Sequence, residues 1–322
     1  MHKMERIDIN KSSSVLSTIA SSCCSVGVQS VLGDFLSKFV NEAGQATALP
    51  FAIQDRIVLP RGEKIHRACA GIHGEVCCIS NVNSNKLLVC ADGRNWETVY
   101  QADDIIPRIA HDGEHYYLPL FNKRIIDVLD STFRRVSTID LAGEPALATL
   151  STICNASCDK QGRLVCSGTG DKGIIHFLID RPSHDYSVVL LGKNIVIRNG
   201  DCMATDSSYL LIAHNRIVVI DGNSDAGRMQ IVNSVPVPAK FLTILPWKDR
   251  YLVPLISGEI VLYDLGLSLV GHSDFLQRNG IDDIGLIPLM VDGGRSDSAL
   301  LYGLQGNDIY TVQLNSNKGE SR

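Results

Sequence analysis

From residue 51 onward the apolar residues fall in short runs of four to eight, many of them alternating with polar positions, each run closed by Gly, Asp, Asn or Pro. That spacing is the signature of β-strands joined by tight turns. The clearest stretch is Asp159 to Asp180, DKQGRLVCSGTGDKGIIHFLID. Lys160-Gln161-Gly162 reads as a turn, Arg163 to Ser167 as a strand, Gly168 to Gly173 as a reversal, and Ile174 to Ile179 as a second, β-branched strand.

Residues 1–50 follow a different period. Val28, Val31, Leu32, Phe35, Leu36 and Phe39 fall on one face of a 3.6-residue helix, with Gln29, Asp34, Lys38 and Glu42 elsewhere on the wheel and Gly44 suited to end it. The pattern predicts an N-terminal helical extension over 1–50. Its apolar stripe either packs on the rest of the protein or docks in a partner's groove, with Val28, Leu32, Phe35 and Phe39 as the docking residues.

Looser copies of the 159–180 pattern recur. Four-strand units can be drawn over 64–101, from HYYLPLF at 115 to 140, over 152–192, from SYLLIAH at 208 to 235, from FLTILPW at 241 to 273, and from IGLIPLM at 284 to 314. Repeats of roughly 40 to 50 residues cannot bury their apolar faces singly and stack into a ring. The expectation is an all-β domain over 51–322, a six-bladed β-propeller with seven blades as the alternative. The last unit runs out of apolar chain before a fourth strand. The spare run Arg56-Ile57-Val58-Leu59 should supply it by pairing with the strand near Asp308 to Gln313, which closes the ring through the two ends of the domain.

The 159–180 stretch resembles one repeat of the WD-repeat propeller family. Ser167, Gly168 and Asp171 match that family's Ser-Gly-x-x-Asp turn, and Ile179-Asp180 stands at its Trp-Asp pair, with Ile in place of Trp. Strand-closing Asp130, Asp180, Asp221 and Asp264 recur at the blade interval, and Gly271-His272 matches the Gly-His position ahead of the last unit, which ends in Thr311-Val312. The resemblance covers residues 50 to 315 and implies a propeller used for protein recognition. A second turn, Ala91-Asp92-Gly93-Arg94-Asn95-Trp96, resembles the Asp-box of sialidase-like propellers with altered spacing.

Composition narrows the function classes. Hydrophobic residues make up 45% and charged residues 20% of the chain, which suits a packed globular protein. A net charge of −5 disfavours a chain built to grip nucleic acid. Cys77, Cys78, Cys90 and Cys166 sit inside apolar runs and read as reduced core thiols of a cytoplasmic protein; the sequons at Asn10 and Asn155 matter only if the chain is secreted. No stretch reads as a signal peptide or membrane helix, so no membrane partner is expected.

Candidate chemistry is sparse. Gly168-Thr169-Gly170-Asp171-Lys172-Gly173 fits GxGxxG, but a strand-like run follows where a dinucleotide site needs a helix. His111-Asp112-Gly113-Glu114-His115 gathers metal-capable groups on an Asp-Gly turn that would splay them, and Cys154 and Cys158 lack a second pair. No nucleophile sits in a recognisable setting, and Arg61 alone does not make a sialidase carboxylate clamp. No cofactor and no metal are expected.

One charge pattern stands out. Turns between second and third strands emerge on one propeller face, and they carry Lys86, Lys123, Arg124, Lys172 and Arg216, against Glu259 and Asp308 in the last two units. A face basic over four units suits a protein partner with an acidic or phosphorylated segment. The sequence therefore reads as a non-enzymatic interaction scaffold. The alternatives are a glycan-binding or glycan-cleaving propeller and an enzyme with a site in the central channel.

Overall fold

A computed structural model describes residues 47–48, 51–195 apart from 83, 160, 172, 181, 183 and 184, and then 202–204, 208–213, 216–221, 231–236, 244–247, 250–255, 259–273, 289–293, 298–303 and 306–314. The chain divides into two units, Met1–Thr47 and Ala48–Arg322. The predicted helix of the extension, with Val28, Leu32, Phe35 and Phe39, lies outside the described residues.

The strands form antiparallel sheets in chain order. Sheet I holds Ile65–Ala70, Val76–Ser80, Lys86–Cys90 and Trp96–Gln101, and sheet II holds Ala110–His111, His115–Leu120, Ile125–Asp130 and Arg135–Asp140. Sheet III holds Leu150–Cys158, Leu164–Gly170, Gly173–Asp180 and Ser187–Ile195, and sheet IV holds Cys202–Ala204, Ser208–Ala213, Arg216–Asp221 and Ile231–Pro236. Sheet V holds Leu245–Trp247, Arg250–Pro254, Ile260–Asp264 and Leu269–Ser273, with Thr47–Ala48 as a fifth strand. Sheet VI holds Leu289–Gly293, Ser298–Gly303 and Asp308–Leu314, completed by Phe51–Val58. The expectation of uniformly four-stranded units is thus corrected: five sheets have four strands and sheet V has five. No further sheet, such as a seventh blade would need, occurs among the described residues.

The middle strands of sheets I, II, III and V are buried on both faces, which is why they read as unbroken apolar runs. Tyr116, Tyr117 and Leu118 of sheet II, and Val165, Cys166 and Phe177 of sheet III, are fully buried. Among the described residues, four apolar clusters lie between sheets. One joins VI to I through Ile57, Ile65, Tyr302 and Ile309, one joins I to II through Cys77, Leu87, Tyr116 and Leu118, and one joins II to III through Tyr117, Val128, Ile153 and Phe177. The fourth gathers Ile217 of sheet IV, sheet V and Leu301 of sheet VI. The first strand of sheet III lies against that of sheet IV, and the first strand of sheet VI against that of sheet I. The sheets therefore form a closed propeller ring, and each fully buried Leu or Ile contributes about 2 kcal/mol to it.

Closure follows the predicted route. Phe51–Val58 runs antiparallel to Asp308–Leu314, with Ile57 opposite Ile309 and Val58 opposite Asp308. Leu59, just past the strand, donates its amide to the Asn307 carbonyl at 2.8 Å.

The 159–180 hairpin differs in detail. Its first strand runs on to Gly170 and its second begins at Gly173, so Gly168 and Gly170 belong to a strand rather than to the reversal expected over Gly168 to Gly173. Gly168 lets the strand continue: a Cβ there would overlap the Thr152 carbonyl oxygen of the neighbouring strand. The run after the GxGxxG match is the strand Gly173–Asp180, not a phosphate-holding helix.

One turn design recurs. Asp130, Asp159 and Asp264 each accept a backbone amide from four residues on through Oδ1, at 3.0, 2.8 and 2.8 Å. The residue three on then sits in the left-handed region: Phe133 at φ 64°, Gly162 at 75° and Leu267 at 65°. Phe133 and Leu267 tolerate that strain because their side chains are used, Phe133 stacking on Tyr116 at 4.8 Å and Leu267 entering the core.

Candidate interaction surface

In a meandering sheet, the turns between second and third strands and the connectors between sheets emerge on the same face. Here that face carries residues 59–64, 81–85, 102–109, 121–124 and 141–149 among others. Backbone hydrogen bonds run from loop to loop across it. Ile65 donates to Gly306, Asn81 to Lys64, Ile106 to Ser84, Phe121 to Ile105 and Ile153 to Phe121, at 2.6–3.0 Å. Each of these loops thereby satisfies its polar groups on a neighbour, and the face over sheets VI, I, II and III becomes a preorganised surface.

The five basic positions expected on this face separate by what they do. Lys86 opens the third strand of sheet I, is half-buried, and has no ion-pair partner among the described residues. Lys123 is exposed and paired with Asp103, whose carboxyl is held below its ordinary range by that hydrogen bond. Arg124 is spent inside the protein. Its backbone is left-handed at φ 56°, and its Nη2 donates to the carbonyls of Leu141 and Leu147 at 2.9 Å each, fastening the connector to sheet III. Lys172 lies outside the described residues. Arg216 opens the third strand of sheet IV opposite Ala213 and Pro236. Of the acidic positions, Asp308 pairs with Arg56 at 2.9 Å, across the closing strands.

Sequence reasoning missed Arg61 and Lys64 as members of this surface. Both are exposed in the connector between sheets VI and I, and neither has a partner among the described residues. The Asn81–Lys64 backbone bond sets the connector beside the turn that carries Val82, and the Ile106–Ser84 bond sets that turn beside Ile105. Val82 is 59% and Ile105 43% exposed. Sheet I thus presents three uncommitted cations, Arg61, Lys64 and Lys86, beside two exposed aliphatic side chains. The signal that could have found the first two was there: they follow the closing strand and so fall in a connector on the same face.

The other candidate chemistry resolves into structure. His111 stands opposite Tyr116, one residue on from His115, so the two histidines project from opposite faces of their hairpin. The His111 ring meets the Ala70 carbonyl at 3.1 Å, and Asp112 accepts the amides of Glu114 and His115. No group of three potential metal ligands occurs among the described residues. Asp92 accepts the amides of Arg94 and Asn95 at 2.9 and 2.7 Å, and the Trp96 indole donates to the Val58 carbonyl at 2.9 Å, so the Asp-box-like turn binds sheet I to the closing strand. Cys77, Cys78, Cys90 and Cys166 are buried and unbridged. Burial raises the thiols of Cys78, Cys154, Cys158 and Cys166 above their ordinary value, which disfavours the reactive thiolate.

No protein-family model matches the chain, and no curated protein matches it. Among solved structures it is similar to the crystal structure of the RRP9 WD40 repeats, at a TM-score of 0.54 and 9% identity, covering 82% of this chain and all of that one. The fold is that of a WD40-like β-propeller; at this identity the likeness speaks to fold alone. No helix among the described residues is long and apolar enough to cross a membrane.

Proposed function

We propose that the protein is a non-enzymatic interaction module that binds a protein partner on its connector face. The observation that carries this reading is the division of cations there. Arg56, Lys123 and Arg124 are committed internally, while Arg61, Lys64 and Lys86, around Val82, have no ion-pair partner among the described residues, on a surface whose loops are tied together. Uncommitted cations beside aliphatic side chains suit an acidic or phosphorylated segment with an apolar residue among its charges. Lys172 and Arg216 extend the same arc in this reading, the cytoplasm is its compartment, and the 1–50 extension offers a second contact through Val28, Leu32, Phe35 and Phe39.

The experiment is affinity capture followed by peptide-array binding with the full chain, using acidic and Ser-phosphorylated peptides against neutral controls. Arg61→Glu, Lys64→Glu and Lys86→Glu together should cut peptide affinity at least tenfold, whereas Lys123→Glu with Asp103→Lys should leave it unchanged. Equal binding by both variants, or binding of neutral peptides as tightly as acidic ones, overturns the reading.

A further inference from the structure

Sheet III carries a buried polar row. Asn155 stands opposite Ser167, and Ser167 opposite His176, so the three side chains share one face of the sheet. The other face, with Ala156, Cys166 and Phe177, packs on sheet II. On the row's own face, Val165 and Leu178 flank it and are buried. Asn155 is 3%, Ser167 1% and His176 1% exposed. Neither ring nitrogen of His176, nor the Ser167 hydroxyl, has a hydrogen-bond partner among the described residues.

Leaving three such atoms dry would forfeit a large fraction of a domain's net stability. The partner must match their chemistry. Burial holds His176 down at about 4, so the ring is neutral near pH 7 and presents one N–H donor and one bare acceptor nitrogen. A metal cation would engage the bare nitrogen and the hydroxyl oxygen, yet leave the ring N–H without an acceptor. An anion would take the N–H and leave the bare nitrogen facing negative charge. A small neutral molecule that both donates and accepts satisfies all three atoms. Beyond His176 the row reaches Gly192, which brings no side chain into that position.

We infer that the Ser167–His176 row is a buried hydration site, holding ordered water that bridges the hydroxyl and the imidazole inside sheet III. Such water is part of the fold, since it completes bonds the strands cannot make to each other. It gives the row a reason to be polar.

The test is nuclear magnetic resonance on the full chain labelled with 15N-histidine at pH 7. His176 should show a neutral ring with both nitrogens at hydrogen-bonded shifts and a cross-relaxation peak from the ring N–H to water. Ser167→Ala, a small change in a buried strand, should move both His176 nitrogen shifts and weaken the water peak at least twofold. Absence of the water peak in the parent protein overturns the inference. So does a water peak that Ser167→Ala leaves unchanged, because the two side chains would then share no water.

Discussion

Arg56 and Asp308 are 252 residues apart in the chain and meet at 2.9 Å across the strands that close the ring. The pair marks the seam, but it does not hold it. Arg56 is largely exposed, so solvent and salt screen the interaction to well under about 1 kcal/mol. The apolar residues beneath carry the closure, with Ile57 and Ile309 both in the buried cluster between sheets VI and I.

Arg56→Ala should therefore shift the urea midpoint only slightly. Ile309→Ala should cost about 2–4 kcal/mol through a cavity that cannot collapse. Removing residues 51–58 should abolish cooperative unfolding, because the last sheet loses its outer strand. Chemical denaturation of the three variants separates these outcomes.

A second junction should respond to side-chain chemistry. Asp127 of sheet II is almost fully buried and accepts the Tyr100 hydroxyl of sheet I at 2.7 Å and the Thr138 hydroxyl at 3.1 Å, with Arg135 at 3.6 Å. Tyr100→Phe should cost about 1–2 kcal/mol, and Asp127→Ala about 3 kcal/mol because it leaves Tyr100 and Thr138 unsatisfied. A double-mutant cycle should give a coupling of at least about 1 kcal/mol; strict additivity would show that the two sheets are joined by packing alone.

Acid sensitivity follows from two histidines. Burial lowers both His66 and His176 to about 4, with the Arg67 charge adding to the effect at His66. An unfolded histidine titrates near 6.5. Below that pH the unfolded chain gains protons that the folded one refuses, so stability is full above about 6.5, falls as pH drops toward 4, and levels below it. Each residue contributes on the order of 3 kcal/mol to the loss. Unfolding free energies at pH 7.5, 6, 5 and 4 should trace this fall, and His66→Gln should reduce it by roughly half.

The left-handed residues give a fourth prediction. Phe133→Gly relieves about 1 kcal/mol of backbone strain but removes the stack on Tyr116, and the loss of this half-buried aromatic contact should win by about 1 kcal/mol. Leu265→Ser, on the exposed side of a similar turn, should be neutral within about 0.5 kcal/mol.

The ring and its closure could be read in the chain because they depend on period-two apolar runs and on one leftover strand, and burial enforces both. Arg124 shows what could not be read. A cation at a turn carries no sign of which carbonyls will surround it, and the connector that supplies Leu141 and Leu147 looks like ordinary loop. The reverse holds for Arg61 and Lys64, whose lack of a partner among the described residues is visible only once the surrounding loops are placed. Gly168 and Gly170 read as a reversal on their turn chemistry, yet here glycine serves close approach to an adjacent strand. The polar row of sheet III has no local signature, since Asn155, Ser167 and His176 become a group only through strand register.

The joining of Phe51–Val58 to Asp308–Leu314 also sets a timetable for biosynthesis. At roughly 5–20 residues per second, a ribosome needs on the order of tens of seconds to travel from one partner strand to the other. Throughout that interval the early strand has emerged with its mate not yet made. The nascent chain must keep a hydrophobic ribbon from misassociating until Asp308–Leu314 has been made.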